Sequence, residues 1–161
     1  MRLLSNKLRH DVQMRMKNGL DISDLITGYD LKGEDLTGAI ITKWDASSKD
    51  ISECKFTRAT IGSKDTTINL NRVKATNCSF IRTQFVGEVV ARQANFQGSN
   101  FKGAFLAYFD YKYADLRRCD FCDSIFSIGT SKSLGAKFST DFFKDLAAHW
   151  NIKIEILEDK E

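Results

Sequence analysis

One pair of cysteines has the spacing that comes nearest to a metal-binding motif in this chain. Cys119 and Cys122 are separated by two residues, while Cys54 and Cys78 lie far from them in the sequence. A structural zinc ion takes four ligands, so one such pair cannot hold it. The chain also lacks the character of a small secreted domain. We therefore predict four free thiols rather than disulfides.

Catalytic arrangements are no better supported. The two histidines, His10 and His149, stand near opposite ends of the chain, and no recognisable nucleophile motif accompanies either. The run from Gly98 to Gly103 resembles half of a phosphate-binding loop, but Ala104 and Phe105 follow where Lys and Ser or Thr are required. The sequence therefore predicts no catalytic residue, no metal site and no cofactor, in a protein that is not an enzyme.

Composition narrows the choice of partner. The chain has 161 residues, with 24 Lys and Arg against 21 Asp and Glu, a formal net charge of +3. A balance this even disfavours nucleic acid as a partner. No apolar stretch approaches the length of about 18 residues that a membrane-spanning helix needs, and the start of the chain has no secretory signal. We therefore expect a cytoplasmic protein that does not bind membranes.

The strongest pattern is a period of five residues. Blocks at residues 94–98, 99–103, 114–118 and 119–123 each place a small residue, a polar residue, then Leu or Phe, and two residues compatible with solvent. This period matches neither an amphipathic helix nor an ordinary half-buried strand. If each block forms one side of a square coil, residues twenty apart stack on successive turns. The pairs are Phe96 with Leu116, Phe101 with Phe121, Leu106 with Phe126, Leu31 with Ile51, Leu36 with Phe56, and Ile41 with Ile61.

These blocks resemble the pentapeptide-repeat family, whose units read approximately A-[D/N]-L-x-x, over about residues 24–138. The resemblance implies an all-β solenoid, a right-handed quadrilateral β-helix. We expect an N-terminal helical cap over residues 1–20, the β-helix over 21–140, and a C-terminal helix and strand cap over 141–161.

The five-residue frame slips twice. It loses one residue between Ile61 and Leu70 and regains one between Phe85 and Phe96, so the two slips cancel and stacking is restored. Residues 62–69 and 86–93 are therefore predicted to be bulges or protruding loops, which either carry function or are harmless interruptions. Two small inward positions also hold large side chains, Glu34 and Trp44. Glu34 is expected to face water at the open end of the coil.

Both ends of the coil are predicted to be capped. Leu4, Leu8, Val12 and Met16 recur every four residues, as on one face of a helix, and Asn18-Gly19 supplies a stop. At the other end a helix and an alternating strand are expected, and the strand pairs with its own last turn or with a second copy. The resemblance favours a homodimer through this end. The candidate cap or dimer residues are Phe142, Phe143, Leu146, Trp150, Ile152, Ile154 and Ile156.

An aromatic cluster is the best functional signal. Phe105, Tyr108, Tyr111 and Tyr113 fall within nine residues, and we identify them as candidate partner-binding residues. The alternative is an aromatic layer packed against a loop or cap. Our first interpretation is a non-catalytic scaffold that binds an unidentified protein. By resemblance to the family, a second is a DNA-mimicking modulator of DNA gyrase or topoisomerase, which the net charge of +3 disfavours. A third is a self-assembling structural subunit.

Overall fold

The computed structural model describes residues 2–106, 108–126 and 133–144, without the side chain of Phe126. Its helices are α1 (Asn6–Lys17) and α2 (Ser23–Ile26), and residues 140–144 are also helical. The strands are β1 (Ile40–Ile41), β2 (Thr60–Asn69), β3 (Gln84–Val90), β4 (Phe105–Leu106), β5 (Phe109–Asp110), β6 (Asp115–Leu116), β7 (Ile125–Phe126) and β8 (Lys137–Phe138).

All strand pairings among the described residues are parallel, as expected for a coil that returns repeatedly to the same side. Strands β1, β2, β3, β4 and β7 form the main sheet in that order, β5 also pairs with β3, and β6 pairs with β8. Isolated parallel bridges, such as those of Asp35 with Lys55 and Asn95 with Asp115, join the other sides. The chain makes about four turns. The predicted all-β solenoid with helices at its two ends is confirmed.

The corners of the coil explain the five-residue period. The last residue of a block adopts the left-handed backbone conformation, with φ of 58° at Ser48 and 73° at Gly38. The polar residue before the inward one stabilises the turn through its side chain. The Asp50 carboxylate, for example, accepts the backbone N–H of Ser52 at 2.9 Å. Each block is therefore one straight side followed by one tight turn.

Inward side chains stack from turn to turn. On one side Phe56, Phe80, Phe101 and Phe121 form what we call the phenylalanine column, with ring centroids 5.2, 4.8 and 5.2 Å apart and planes within 8° of parallel. These distances follow from the strand spacing of about 4.8 Å. The six predicted stacked pairs all lie on successive turns.

The prediction that the two frame slips cancel is wrong. Successive turns are 20 residues apart where Ile40 pairs with Thr60, but 24 apart where Asp45 bridges to Asn69. The turn that contains residues 62–69 therefore gains four residues instead of losing one. Loss of one and gain of four shift a five-residue frame identically, so the sequence could not separate them.

The four extra residues form a bulge held by its own hydrogen bonds. The pairing of β2 with β3 changes register between Gly62 and Thr67. Within the bulge, the Thr66 hydroxyl oxygen accepts the Ser63 N–H at 2.9 Å, and this hydroxyl lies 2.8 Å from the carbonyl oxygen of Thr42. The second interval, residues 86–93, is no protruding loop, because it lies largely in β3.

The second slip is a single extra residue within β3. Gln84 pairs with Phe105, 21 residues away, whereas Val89 pairs with Phe109, 20 residues away. The two slips together therefore add five residues to the coil. The chain consequently reaches Phe96 after six sides rather than the seven that a count of five-residue blocks from Ile61 suggests.

Trp44 fits the core because its block reverses the usual sizes. The inward central position of that block holds Ala46, and Trp44 fills the space from the neighbouring small position. Trp44 is 2% exposed, and its ring lies 5.5 Å from that of Phe56. Its indole N–H has no hydrogen-bond partner among the described residues.

The predicted N-terminal helix covers the first turn. Ser5 accepts the Leu8 N–H as the N-cap of α1, and Val12 is 2% exposed. The expectation that Glu34 faces water is wrong. Its carboxylate accepts hydrogen bonds from the guanidinium of Arg9 in α1, at 2.9 and 3.0 Å. This ion pair fastens the helix to the coil.

The last described residues cover the other end with aromatic rings. Phe142 stacks on Phe138 with centroids 4.5 Å apart and meets Phe121, the end of the phenylalanine column, at 5.3 Å. Phe143, 37% exposed, packs against Phe142 at 5.3 Å. The other candidate cap or dimer residues, Leu146, Trp150, Ile152, Ile154 and Ile156, lie outside the described residues.

Candidate functional site

Each side of the coil exposes one row of residues, formed by the position just before each inward residue. Three of these rows carry charged side chains. They contain, respectively, Asp50, Lys74 and Asp115; Asp35, Lys55 and Asp120; and Asp45 and Asp110. Because successive turns are about 4.8 Å apart, opposite charges in a row meet directly.

Acidic residues in these rows are accompanied by cations. Lys74 Nζ lies 3.0 Å from the Asp50 carboxylate, and Lys55 Nζ lies 3.4 Å from that of Asp35. Hydrogen bonding from the Arg117 guanidinium is the main cause that lowers the pKa of Asp115 below its usual range. No row of the described residues is continuously acidic. A mimic of duplex DNA needs a dense negative row, so the arrangement does not favour that interpretation.

From Ile40 onward the fourth side exposes a row without any charged residue, which we call the uncharged row; Asp21, which bridges to Ile40, precedes it on that side. The row consists of Ile40, Thr60, Gln84, Phe105 and Ile125, which pair in register across β1, β2, β3, β4 and β7. These side chains are half-buried or exposed, and Ile125 at the end of the row is 59% exposed. Apolar and β-branched residues replace the Asp and Asn of the other rows here. This substitution explains why regular strands form on this side.

The structure separates the four aromatic residues of the predicted cluster. Phe105 belongs to the uncharged row, and Tyr108, 57% exposed, lies beside it with ring centroids 6.3 Å apart. Tyr111 is wrongly assigned to the surface: it is 1% exposed because it occupies an inward position, and burial raises its pKa to about 12. Tyr113 lies on a different corner, packed against Gly135, where a Cβ would come within 2.4 Å of the tyrosine ring. Only Phe105 and Tyr108 therefore share a surface.

Sequence reasoning missed the other members of the uncharged row. Ile40, Thr60, Gln84 and Ile125 look ordinary one at a time, and the insertion of four residues hides their common register. A usable signal was present in the position before each inward residue. Reading only that position, every fourth block holds Ile, Thr, Gln or Phe, whereas most of the other blocks hold Asp, Asn, Lys or Ser.

Two of the four cysteines, Cys54 and Cys78, serve the core rather than a reactive site. The Cys54 thiol donates to the carbonyl oxygen of Leu31 at 2.6 Å, and the Cys78 thiol to that of Ile51 at 2.9 Å. Burial raises the pKa of Cys78 to about 12. Cys119 is half-buried and Cys122 is exposed. A raised pKa keeps a thiol protonated and unreactive.

The described residues contain neither a metal-binding cluster nor a membrane-spanning helix. No group of three or more His, Cys, Asp or Glu side chains in residues 2–106, 108–126 and 133–144 is placed to hold a metal ion. In the same part of the chain, no helix has the length and apolar character that crossing a bilayer requires.

The fold and its blocks define a class of protein: parallel β-solenoids built from five-residue units. Residues 92–127 match the model of the family described as "Pentapeptide repeats (8 copies)". Residues 92–127 are therefore a segment of pentapeptide repeats. A search of curated proteins finds no match.

Several solved structures are similar at low identity. One is a trypsin-treated variant of QnrB1, a plasmid-mediated fluoroquinolone resistance protein: 19% identity, TM-score 0.32, 75% of this chain and 65% of that one. Another is a pentapeptide repeat protein from the Arabidopsis thaliana thylakoid lumen: 15% identity, TM-score 0.35, 74% of each chain. A third is HetL, involved in heterocyst differentiation regulation in the cyanobacterium Nostoc sp. strain PCC 7120: 14% identity, TM-score 0.32, 86% of this chain and 79% of that one. The chain thus spans about two thirds of the QnrB1 structure. Likenesses at this level support no functional conclusion.

Proposed function

We propose that this protein is a non-catalytic scaffold that binds another protein through the uncharged row and the neighbouring Tyr108. The observation that carries the proposal is the contrast between the four sides of the coil. Three sides expose charged residues, whereas the row from Ile40 to Ile125 exposes none. The centres of protein–protein interfaces are likewise depleted in charged residues.

The shape of this side also suits a protein partner. Five registered positions span four turns, about 19 Å at the usual strand spacing. The sheet beneath is held by parallel backbone pairing, so the surface loses little conformational freedom on binding. Phe105 and Tyr108 supply the aromatic contact area that dominates many interfaces, and Ile125 extends the apolar surface.

A capture experiment with matched charge variants tests this function. Phe105→Lys and Ile125→Lys each place a cation in the uncharged row, while Asn95→Lys and Asn100→Lys place one in the charged rows. We expect a partner protein recovered from the native cell by the unaltered chain to be lost with the first pair and retained with the second.

Circular dichroism of each variant separates loss of binding from loss of folding. Equal recovery of the partner by all four folded variants would contradict the proposed surface. Loss of the partner with the Asn95 and Asn100 variants alone would place the binding surface on another side of the coil.

A further inference from the structure

A groove lies at the corner that leads into the uncharged row. It has a volume of about 220 Å³ and is lined by Thr37, Thr57, Arg58, Ile81, Arg82 and Lys102. Arg58 and Arg82 each stand two residues before a member of the uncharged row, so the groove borders that row along its length. The absence of a side chain at Gly103 leaves space for the side chain of Arg82, because a Cβ on residue 103 would lie 3.2 Å from the Cγ of Arg82.

Three cations of this groove, Arg58, Arg82 and Lys102, form what we call the basic ridge. They belong to three successive turns, and none of their side chains makes an ion pair or hydrogen bond with a described residue. The contrast with the charged rows is sharp, because Lys55 and Lys74 there each have an aspartate partner. Arg58 and Arg82 occupy the same position on successive turns, about 4.8 Å apart, and Lys102 lies on the next turn at the position of Ile81. Like charges this close repel one another, and an anion placed between them would relieve that repulsion.

The groove floor narrows the chemistry of such an anion. Ile81 and the methyl groups of Thr37 and Thr57 are apolar, whereas the rim carries the basic ridge. An extended peptide places alternate side chains on one face about 6.6 Å apart. The apolar side chain between two such residues points to the opposite face of the peptide, where it contacts the groove floor. The two carboxylates then face the rim, within reach of neighbouring cations of the ridge. Arginine is well suited to this role, since its guanidinium binds a carboxylate through two parallel hydrogen bonds.

Nucleic acid fits the same groove less well. Binding of a phosphate backbone gains strength from many cation–phosphate contacts, and single strands also stack their bases on aromatic side chains. The groove offers three cations and no aromatic lining residue.

We propose that the basic ridge binds an extended acidic peptide segment with alternating carboxylate and apolar side chains. We assign this segment to the same partner protein that docks on the uncharged row, and this assignment rests on the proposed function. Binding of an acidic peptide by the groove does not itself require that row, so the two can fail separately.

Fluorescence anisotropy with a defined peptide tests the ridge directly. The probe is a fluorescein-labelled peptide of sequence GELEIEG, and the comparison probes are GQLQIQG and a twelve-nucleotide oligothymidylate. The ridge variant combines Arg58→Gln, Arg82→Gln and Lys102→Gln. The control variant combines Lys7→Gln, Lys43→Gln and Lys64→Gln, which remove the same charge from exposed positions elsewhere.

We expect GELEIEG to bind the unaltered protein and the control variant with affinities within threefold of each other, and the ridge variant at least tenfold more weakly. GQLQIQG should bind none of the three proteins, and added salt should weaken the GELEIEG complex. Undiminished binding to a folded ridge variant, or no binding to the unaltered protein, would overturn the proposal. Tighter binding of the oligothymidylate, lost in the ridge variant, would overturn it in favour of nucleic acid.

The uncharged-row variants distinguish the two proposals. Phe105→Lys and Ile125→Lys should leave GELEIEG binding within threefold of the unaltered protein while abolishing capture of the partner. If the ridge variant fails to capture the partner but still binds GELEIEG as the unaltered protein does, the proposal that the ridge binds an acidic segment is contradicted. The proposal that the partner docks on the uncharged row is not affected by that result.

Discussion

The ring of Phe80 lies nearly parallel to that of Phe101 one turn later, with centroids 4.8 Å apart and planes 8° from parallel. Both side chains are almost completely buried. Phe80 also contacts Phe56 on the preceding turn, so it joins three turns of the coil. Each turn of a solenoid contacts mainly its neighbours, and such inward stacks are what couple one turn to the next.

Truncation within the phenylalanine column should be among the most damaging single changes. Phe80→Ala removes a buried ring between two others and leaves a cavity, so we expect a loss of about 3–5 kcal/mol in the free energy of unfolding. Phe80→Leu keeps most of the volume and should lose less than about 1.5 kcal/mol. Urea unfolding of the two variants measures both values. A loss below about 1 kcal/mol for Phe80→Ala would show that the column does not couple the turns.

Left-handed corner residues offer stabilising substitutions. Ser48 has φ of 58°, a conformation that disfavours a side chain but suits glycine. Ser48→Gly should therefore raise the free energy of unfolding by about 0.5–1 kcal/mol. Ser47→Gly, one residue earlier in the same turn, should lower it by about 0.5–1 kcal/mol because glycine there only adds flexibility. Thermal unfolding of this matched pair gives the sign, and a lower melting temperature for Ser48→Gly would contradict the prediction.

The stability of the first turn should fall in acid. The carboxylate of Asp30 accepts backbone N–H groups from Asp50 and from Arg2, each at 2.8 Å, and the hydrogen bond from Asp50 is the main cause that lowers its pKa. A folded-state pKa below the unfolded value means that this stabilisation is fully present above the unfolded pKa of about 3.9. It is then lost as the pH falls through and below that value.

The variant Asp30→Asn isolates this contribution. We expect it to lower the free energy of unfolding by about 1–3 kcal/mol at pH 7, because the amide leaves a buried N–H group without an acceptor. The deficit relative to the unaltered protein should shrink between pH 5 and pH 3. Asp65→Asn, in the exposed bulge, controls for net charge. Parallel pH profiles for the unaltered protein and Asp30→Asn would contradict the linkage.

Thiol labelling should follow burial. Cys122 is exposed, whereas Cys54 and Cys78 are buried and donate to backbone carbonyls. Burial raises the pKa of Cys54 and Cys78, so both stay protonated and out of reach. With iodoacetamide under native conditions, mass spectrometry should find Cys122 modified first, and all four cysteines only after unfolding. Early modification of Cys54 would contradict the packing of the coil.

Most of the fold was predictable because its strongest signal is local. An inward Leu or Phe every five residues, with an Asp or Asn before it, encodes one side and one corner of the coil at a time. The helix α1 was equally clear, since Leu4, Val12 and Met16 follow helical spacing. What failed was the register across the interruptions, because a five-residue frame cannot distinguish the loss of one residue from a gain of four.

The candidate site was harder to predict because it depends on that register. The uncharged row joins Ile40 to Ile125 only after five additional residues are placed in β2 and β3. Tyr111 stands five residues after Leu106 and five before Leu116, so the five-residue frame itself places it inward; it was misassigned because it was grouped with its aromatic neighbours instead of being read in that frame. The pairing of Phe105 with Tyr108 was the part of the cluster that sequence alone could identify.

The central claim is that a partner protein contacts the side of the coil that carries the uncharged row. Site-specific photo-crosslinking tests this contact most directly. Lys74, Ser79, Gln84 and Val90 are the outward residues of one turn, one on each side. Each is replaced in turn by p-benzoylphenylalanine, and the protein is irradiated in the native cell. We predict a discrete adduct with a partner protein from the Gln84 position, and none from Lys74 or Val90. Equal adducts from all four positions, or an adduct from Lys74 or Val90 but not Gln84, would contradict the account.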